Sequence, residues 1–138
     1  MKLFKLCSVI ICTLFLFSCN RSGNNNSCTG AICTQVFTYV YVQVLDTTGY
    51  AMLNLDDAYT VRQSTGEVIR PHDANVCCGN YPVLDDNYRA TLGYGSDVFI
   101  FNGIKNGKVI AQAQYTISAD CCHITKVSGP TKISVTHY

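Results

Sequence analysis

The chain's dominant pattern is alternation of apolar and polar positions with a period of two. Val36, Thr38, Val40, Val42 and Val44 fall on one side of the first such stretch, with Phe37, Tyr39, Tyr41 and Leu45 on the other. β-Branched and aromatic side chains at this spacing suit a pleated, half-buried surface, so the segment predicts a strand well inside a sheet. Asp46-Thr47-Thr48-Gly49 predicts a turn, a second strand follows over 59–63, and Ser64-Thr65-Gly66-Glu67 predicts the next turn. Segments 97–103 and 108–118 flank Asn106-Gly107, a dipeptide that accepts positive φ and predicts a tight antiparallel hairpin. In its second arm Val109, Ala111, Ala113, Tyr115 and Ile117 alternate with Gln112, Gln114 and Thr116, which predicts one buried face and one wet face. A last strand is expected over 132–136. About seven strands with a turn signal roughly every ten residues predict an all-β antiparallel sandwich.

The first residues break this pattern. Behind Lys2 and Lys5, positions 6–17 are apolar apart from Ser8 and Thr13 and lead into Leu16-Phe17-Ser18-Cys19. The run is shorter than the roughly 20 residues a helix needs to span a bilayer, and has the length of the apolar core of an export signal. Leu16 three places before Cys19, a small Ser18 directly before it and basic residues upstream resemble the lipobox of bacterial lipoproteins. The resemblance implies cleavage after residue 18, acylation of Cys19 by chains such as palmitate, and attachment to a membrane through that residue. It divides the chain into a signal peptide over 1–18, the lipidated cysteine and a flexible tether over 19–33, and a β-sandwich domain over 34–138. Residues 20–27, all Asn, Ser, Gly or Arg, offer nothing apolar to bury and suit a tether. The lack of Asp directly after Cys19 resembles lipoproteins sorted to the outer membrane, so the expected location is the bacterial cell envelope.

Cleavage changes the charge and cysteine counts. Of the 138 residues 120 remain, enough for one domain with its own core. Loss of Lys2 and Lys5 leaves eight basic residues against nine acidic, turning a net charge of +1 into −1. With no basic run or stripe, the chain lacks what sequence-independent phosphate binding requires, and nucleic acid is excluded as a partner. Cys7 and Cys12 depart with the signal and Cys19 is committed to lipid, so six of the nine cysteines remain: Cys28, Cys33, Cys77, Cys78, Cys121 and Cys122. An even set in an oxidising compartment predicts three disulfides, with the connectivity open. If both doublets lie on strands, each presents one sulfur to either face. That placement suggests two links between Cys77-Cys78 and Cys121-Cys122, with Cys28 and Cys33 closing a small loop.

Val42-Gln43-Val44-Leu45-Asp46-Thr47-Thr48-Gly49, Thr65-Gly66 and Tyr81-Pro82-Val83-Leu84-Asp85-Asp86 resemble the framework of carboxypeptidase regulatory-like domains, which are transthyretin-like and Ig-like sandwiches. Asp120-Cys121-Cys122-His123-Ile124, with Lys126 and Ser128-Gly129-Pro130, is similar to a run in envelope lipoproteins that carry such a domain. Tyr50-Ala51 stands where that framework commonly has proline. The resemblance covers most of 34–136 and implies an accessory or binding module with no catalytic residues and no cofactor.

Candidate chemistry is sparse. The histidines, His72, His123 and His137, lie in no His-Glu-x-x-His pattern, and there is no Gly-x-Ser-x-Gly, so neither metalloprotease nor serine-hydrolase chemistry has its parts. The expected function is therefore a non-enzymatic structural or binding module, with an envelope protein or a glycan as partner. The alternative is a zinc or copper site built from Cys77, Cys78, Cys121, Cys122 and His123, although adjacent cysteines diverge where zinc sites space their ligands. Asp56-Asp57 and Asp85-Asp86 match no calcium loop and read as turn chemistry. Tyr39, Tyr41, Tyr94 and Tyr115 offer either an aromatic binding surface or strand packing.

Overall fold

The computed structural model describes residues 28–52, 54–71 and 78–135. The expectations placed on Cys19, His72, Cys77 and His137 lie outside the described residues. Among the described residues eight strands form: β1 (Tyr39–Leu45), β2 (Asp57–Arg62), β3 (Val68–Ile69), β4 (Asn80–Asp85), β5 (Ser96–Lys105), β6 (Lys108–Ala119), β7 (Ile124–Ser128) and β8 (Lys132–Ser134). They make an all-β sandwich from a three-stranded sheet, β4-β1-β8, and a five-stranded sheet, β3-β2-β5-β6-β7. Between β4 and β5 stand a 3-10 turn, Asp86–Tyr88, and a single helical turn α1, Arg89–Leu92.

The alternation of the first strand is realised. Val40, Val42 and Val44 are buried while Tyr41 is exposed, because successive side chains leave a strand on opposite faces. The turn after it is held by Asp46, whose carboxylate accepts from the Thr48 N–H, the Thr48 hydroxyl and the Tyr50 N–H. One pairing departs from the all-antiparallel expectation: β8 runs parallel to β1, with Val44 opposite Ile133. Chain direction explains it, since the connection after β7 must cross to the other sheet rather than fold back beside its neighbour. Gly129 makes that crossing against the Tyr115 ring, where a Cβ would stand 2.3 Å from Cδ1. A side chain there has no room.

The β5–β6 hairpin turns at Asn106-Gly107, both with positive φ, as its dipeptide predicts. Its second arm departs from strict alternation. Gly103 pairs with Ala111 and Ile104 with Val109, leaving Ile110 as the extra residue of a bulge. Ile110 is therefore buried and Val109 is 46% exposed, the reverse of the expectation for Val109. A bulge in β4 serves the core differently. Val83 falls between the rungs at Leu84 and Pro82, and its carbonyl accepts from the buried Thr60 hydroxyl of the opposite sheet at 2.7 Å. The core between the sheets centres on Phe99, Phe101, Tyr115, Val42, Val83 and Ile117.

Candidate functional site

The richest set of contacts gathers where β1 begins, β4 ends and β6 turns into β7. Asp85 caps the 3-10 turn by accepting from the Asn87 N–H at 2.9 Å, which fixes the neighbouring Asp86 against the β6–β7 connection. That connection is itself a tight turn: the Asp120 carboxylate accepts from the N–H groups of Cys122 and His123, each at 2.7 Å. Those two N–H bonds, with the Arg89 guanidinium nearby, hold the Asp120 carboxyl below its usual range. Cys121 and Cys122 therefore sit on a turn and not on a strand.

This placement overturns the expected pairing. Cys28 is bonded to Cys121 and Cys33 to Cys122, with Cα–Cα distances of 5.4 and 5.2 Å. No small loop closes between Cys28 and Cys33, and Cys78 makes no link to Cys121 or Cys122. Cys78 lies just before β4, where its carbonyl accepts from the Gln43 amide. The β6–β7 turn packs at the other end of β4, roughly 17 Å away at strand rise, and a disulfide needs Cα atoms closer than about 7 Å. The strand assumption failed because adjacent Cβ vectors in a turn need not oppose one another. Residues 28–33, assigned to the tether by sequence, are thus fastened covalently to the domain.

The same bonds dismantle the metal alternative. Sulfurs committed to disulfides are not thiolate ligands, which removes Cys121 and Cys122. Both ring nitrogens of His123 are also engaged, Nδ1 with Asp86 Oδ2 at 2.8 Å and Nε2 with Thr34 Oγ1 at 2.9 Å. Among the described residues no group of three side chains could hold a metal ion.

Thr34, His123 and Asp86 stand in the order hydroxyl, imidazole, carboxylate, the sequence of a hydrolase relay. A relay also needs donors for a developing oxyanion. Four N–H groups near His123 are already given away, those of Cys122 and His123 to Asp120 and those of Ile124 and Thr38 to Asp86. The same contacts tie the arm, the end of β4 and the β6–β7 turn together. Burial works to raise the Asp86 pKa, but His123 and the Ile124 and Thr38 N–H groups outweigh it and hold the carboxyl below its ordinary range. A charged Asp86 thus ties the arm at Thr38 to β7 at Ile124. Arg89 adds a further tie by donating from Nη1 to the Cys121 carbonyl.

The acidic doublets do turn and pairing chemistry. Asp56 receives Lys105 Nζ at 2.8 Å and the Asn106 N–H, and Asp57 receives Arg70. The tyrosines divide: Tyr115 is fully buried in the core, Tyr94 is 40% exposed, and Tyr39 stacks on Tyr41 along the outer face of β1. Sequence reasoning missed the Asp86–His123 pair, whose partners are 37 residues apart. The Asx turn at Asp120 was the available clue that 120–123 is not extended.

Fold and site together define a disulfide-stapled β-sandwich with a covalently fastened N-terminal arm. The sequence matches no protein-family model, and no curated protein or solved structure matches it either.

Proposed function

We propose that the chain is a lipid-anchored protein of a bacterial cell envelope, processed at Cys19, whose sandwich serves as a non-enzymatic structural or binding module. The observation that carries this reading is the pair of staples at Cys28 and Cys33, the first described cysteines after the lipobox. Such bonds persist in oxidising compartments and not in a reducing cytosol, which agrees with an export signal. They also suit a mechanical task. A pull applied at Cys19 reaches Cys28 within nine residues, at most about 30 Å of chain, and is taken up by a covalent bond before any strand is loaded. The occupied N–H groups around His123 favour a module over an enzyme. The resemblance to carboxypeptidase regulatory-like domains supports the same role, with an envelope protein or a glycan as partner.

Intact mass of the detergent-extracted protein, before and after reduction, tests the reading. The expected product begins at Cys19, carries acyl chains and holds both disulfides. Cys19→Ala should move the protein out of the membrane fraction or leave it unprocessed. A native product that is water-soluble and unmodified at Cys19 would reject the proposal.

A further inference from the structure

We propose that the apolar arm between Cys28 and Tyr39 docks into the interface of the bilayer that holds the Cys19 lipid, so that the domain lies on the membrane rather than hanging from it. The inference rests on the lipid-anchor reading above and adds an orientation and a contact surface to it. Ile32 is 97% exposed, Val36 67% and Phe37 46%. Three large apolar side chains so close together in sequence are unusual on a surface that has nothing to cover it. No charged side chain occurs from Cys28 to Thr38, although the chain as a whole is 14% charged.

The staples prevent the arm from hiding these groups. Ile32 lies between two half-cystines, and Thr34 is bonded to His123, so the loop cannot fold inward over the core. The chain outside the described residues identifies the occupant. Cys19 stands nine positions before Cys28, which keeps the arm within a few tens of ångströms of the lipid. A tether this short raises the effective concentration of the surface so far that weak insertion suffices.

Orientation follows from the aromatic row. Phe37 lies 5.0 Å from Tyr39, and Tyr39 5.3 Å from Tyr41, ring centre to ring centre. Two residues along a strand rise about 7 Å. With Phe37 at the acyl boundary, Tyr39 stands at headgroup level, where tyrosine is favoured, and Tyr41 above it. The Asn106-Gly107 hairpin, at the far end of the twelve-residue β6, points away from the membrane.

The chain contains no tryptophan, so a single introduced one reports its own depth. Ile32→Trp, Phe37→Trp and Val109→Trp are made in the lipidated full-length protein and placed in phosphatidylcholine vesicles with brominated acyl chains. Val109 is 46% exposed beside the far hairpin and serves as the control. The expected result is at least a twofold loss of fluorescence for the first two variants and none for the third, with both disulfides intact by mass. Equal, unquenched emission from all three, in protein that floats with vesicles and carries lipid, overturns the docking and leaves the anchor standing. Unquenched emission from Ile32→Trp that shifts to the blue with protein concentration overturns it in favour of a second copy on the patch. Absence of lipid on Cys19 overturns the anchor itself and the docking with it.

Discussion

From Ser96 to Ala119 the chain runs out and back as one hairpin, laddered from the Ser96–Ser118 pair to the Lys105–Lys108 pair and filled by Phe99, Phe101 and Tyr115. From Cys28 to Thr38 it forms no strand and gives the core no residue, yet it is fastened by two disulfides and one carboxylate. The hairpin is held by burial, roughly 1.5–3 kcal/mol for each large side chain. The arm is held by bonds that respond to redox state and pH. A segment can be anchored firmly while remaining exposed, provided its fastening does not depend on hiding apolar surface.

Removing both staples, by Cys28→Ser with Cys33→Ser, should cost most, about 6–7 kcal/mol in all. In the chain-entropy model a loop of about a hundred residues contributes ~4–5 kcal/mol, and the bonds here span 93 and 89 positions. Once the first is closed, the second closes a much shorter loop and should add only about 2 kcal/mol. In hydrogen exchange under native conditions, the Thr38 and Ile124 amides should lose more protection than those of β5, whose protection falls only with the global stability. Equal loss at both sites would show that arm and hairpin form one cooperative unit.

Phe101→Ala should break the hairpin side most severely. Phe101 is fully buried, so loss of its ring and the resulting cavity should cost about 3–5 kcal/mol, read as a lower midpoint in chemical unfolding. The arm's disulfides should survive in the folded fraction.

The same contrast governs what was legible in the sequence. The hairpin could be read because Asn106-Gly107 and the alternation around it are local signals. Its bulge was missed, although a lone Gly103 inside a strand is such a signal; a Cβ there would stand 2.9 Å from Leu55 Cδ1. The sandwich, the first strand and the turn at Asp46 all follow from spacing. The stapled end does not, because the disulfide pairing depends on which ends of β4 and β6 meet, and Asp86 finds His123 only after the sheets have packed. Even a correct strand list leaves that end open.

Asp86→Asn should weaken the arm by about 1–3 kcal/mol, the range for a half-buried, charge-assisted acceptor that loses its charge. The folded-state pKa of Asp86 lies below its ordinary value of 3.8. Its contribution is therefore complete above the unfolded value and is lost as pH falls through the depressed folded one. Stability plotted against pH should fall on the acid side, and less steeply in Asp86→Asn. An unchanged acid limb would assign that dependence to other lowered carboxyls, such as Asp97 with its bonds to Ser64 and Arg62.

Tyr115→Phe offers the smallest and most discriminating test, because its expected sign is a gain. Among the described residues the buried Tyr115 hydroxyl has no hydrogen-bond partner, and desolvation pushes its pKa upward. Removing an unsatisfied buried hydroxyl while keeping the ring against Gly129 should stabilise the protein by about 1 kcal/mol. Tyr115 lies four residues along β6 from Ala119, which pairs with Ile124 beside Asp86, a separation of about 13 Å at strand rise. At that distance Tyr115→Phe and Asp86→Asn should add to within about 0.5 kcal/mol. Additive effects keep burial at one end and charge at the other as separate sources of stability. A larger coupling would mean that the Asp86 contacts adjust the packing of the core, and the two ends would then have to be treated as one network.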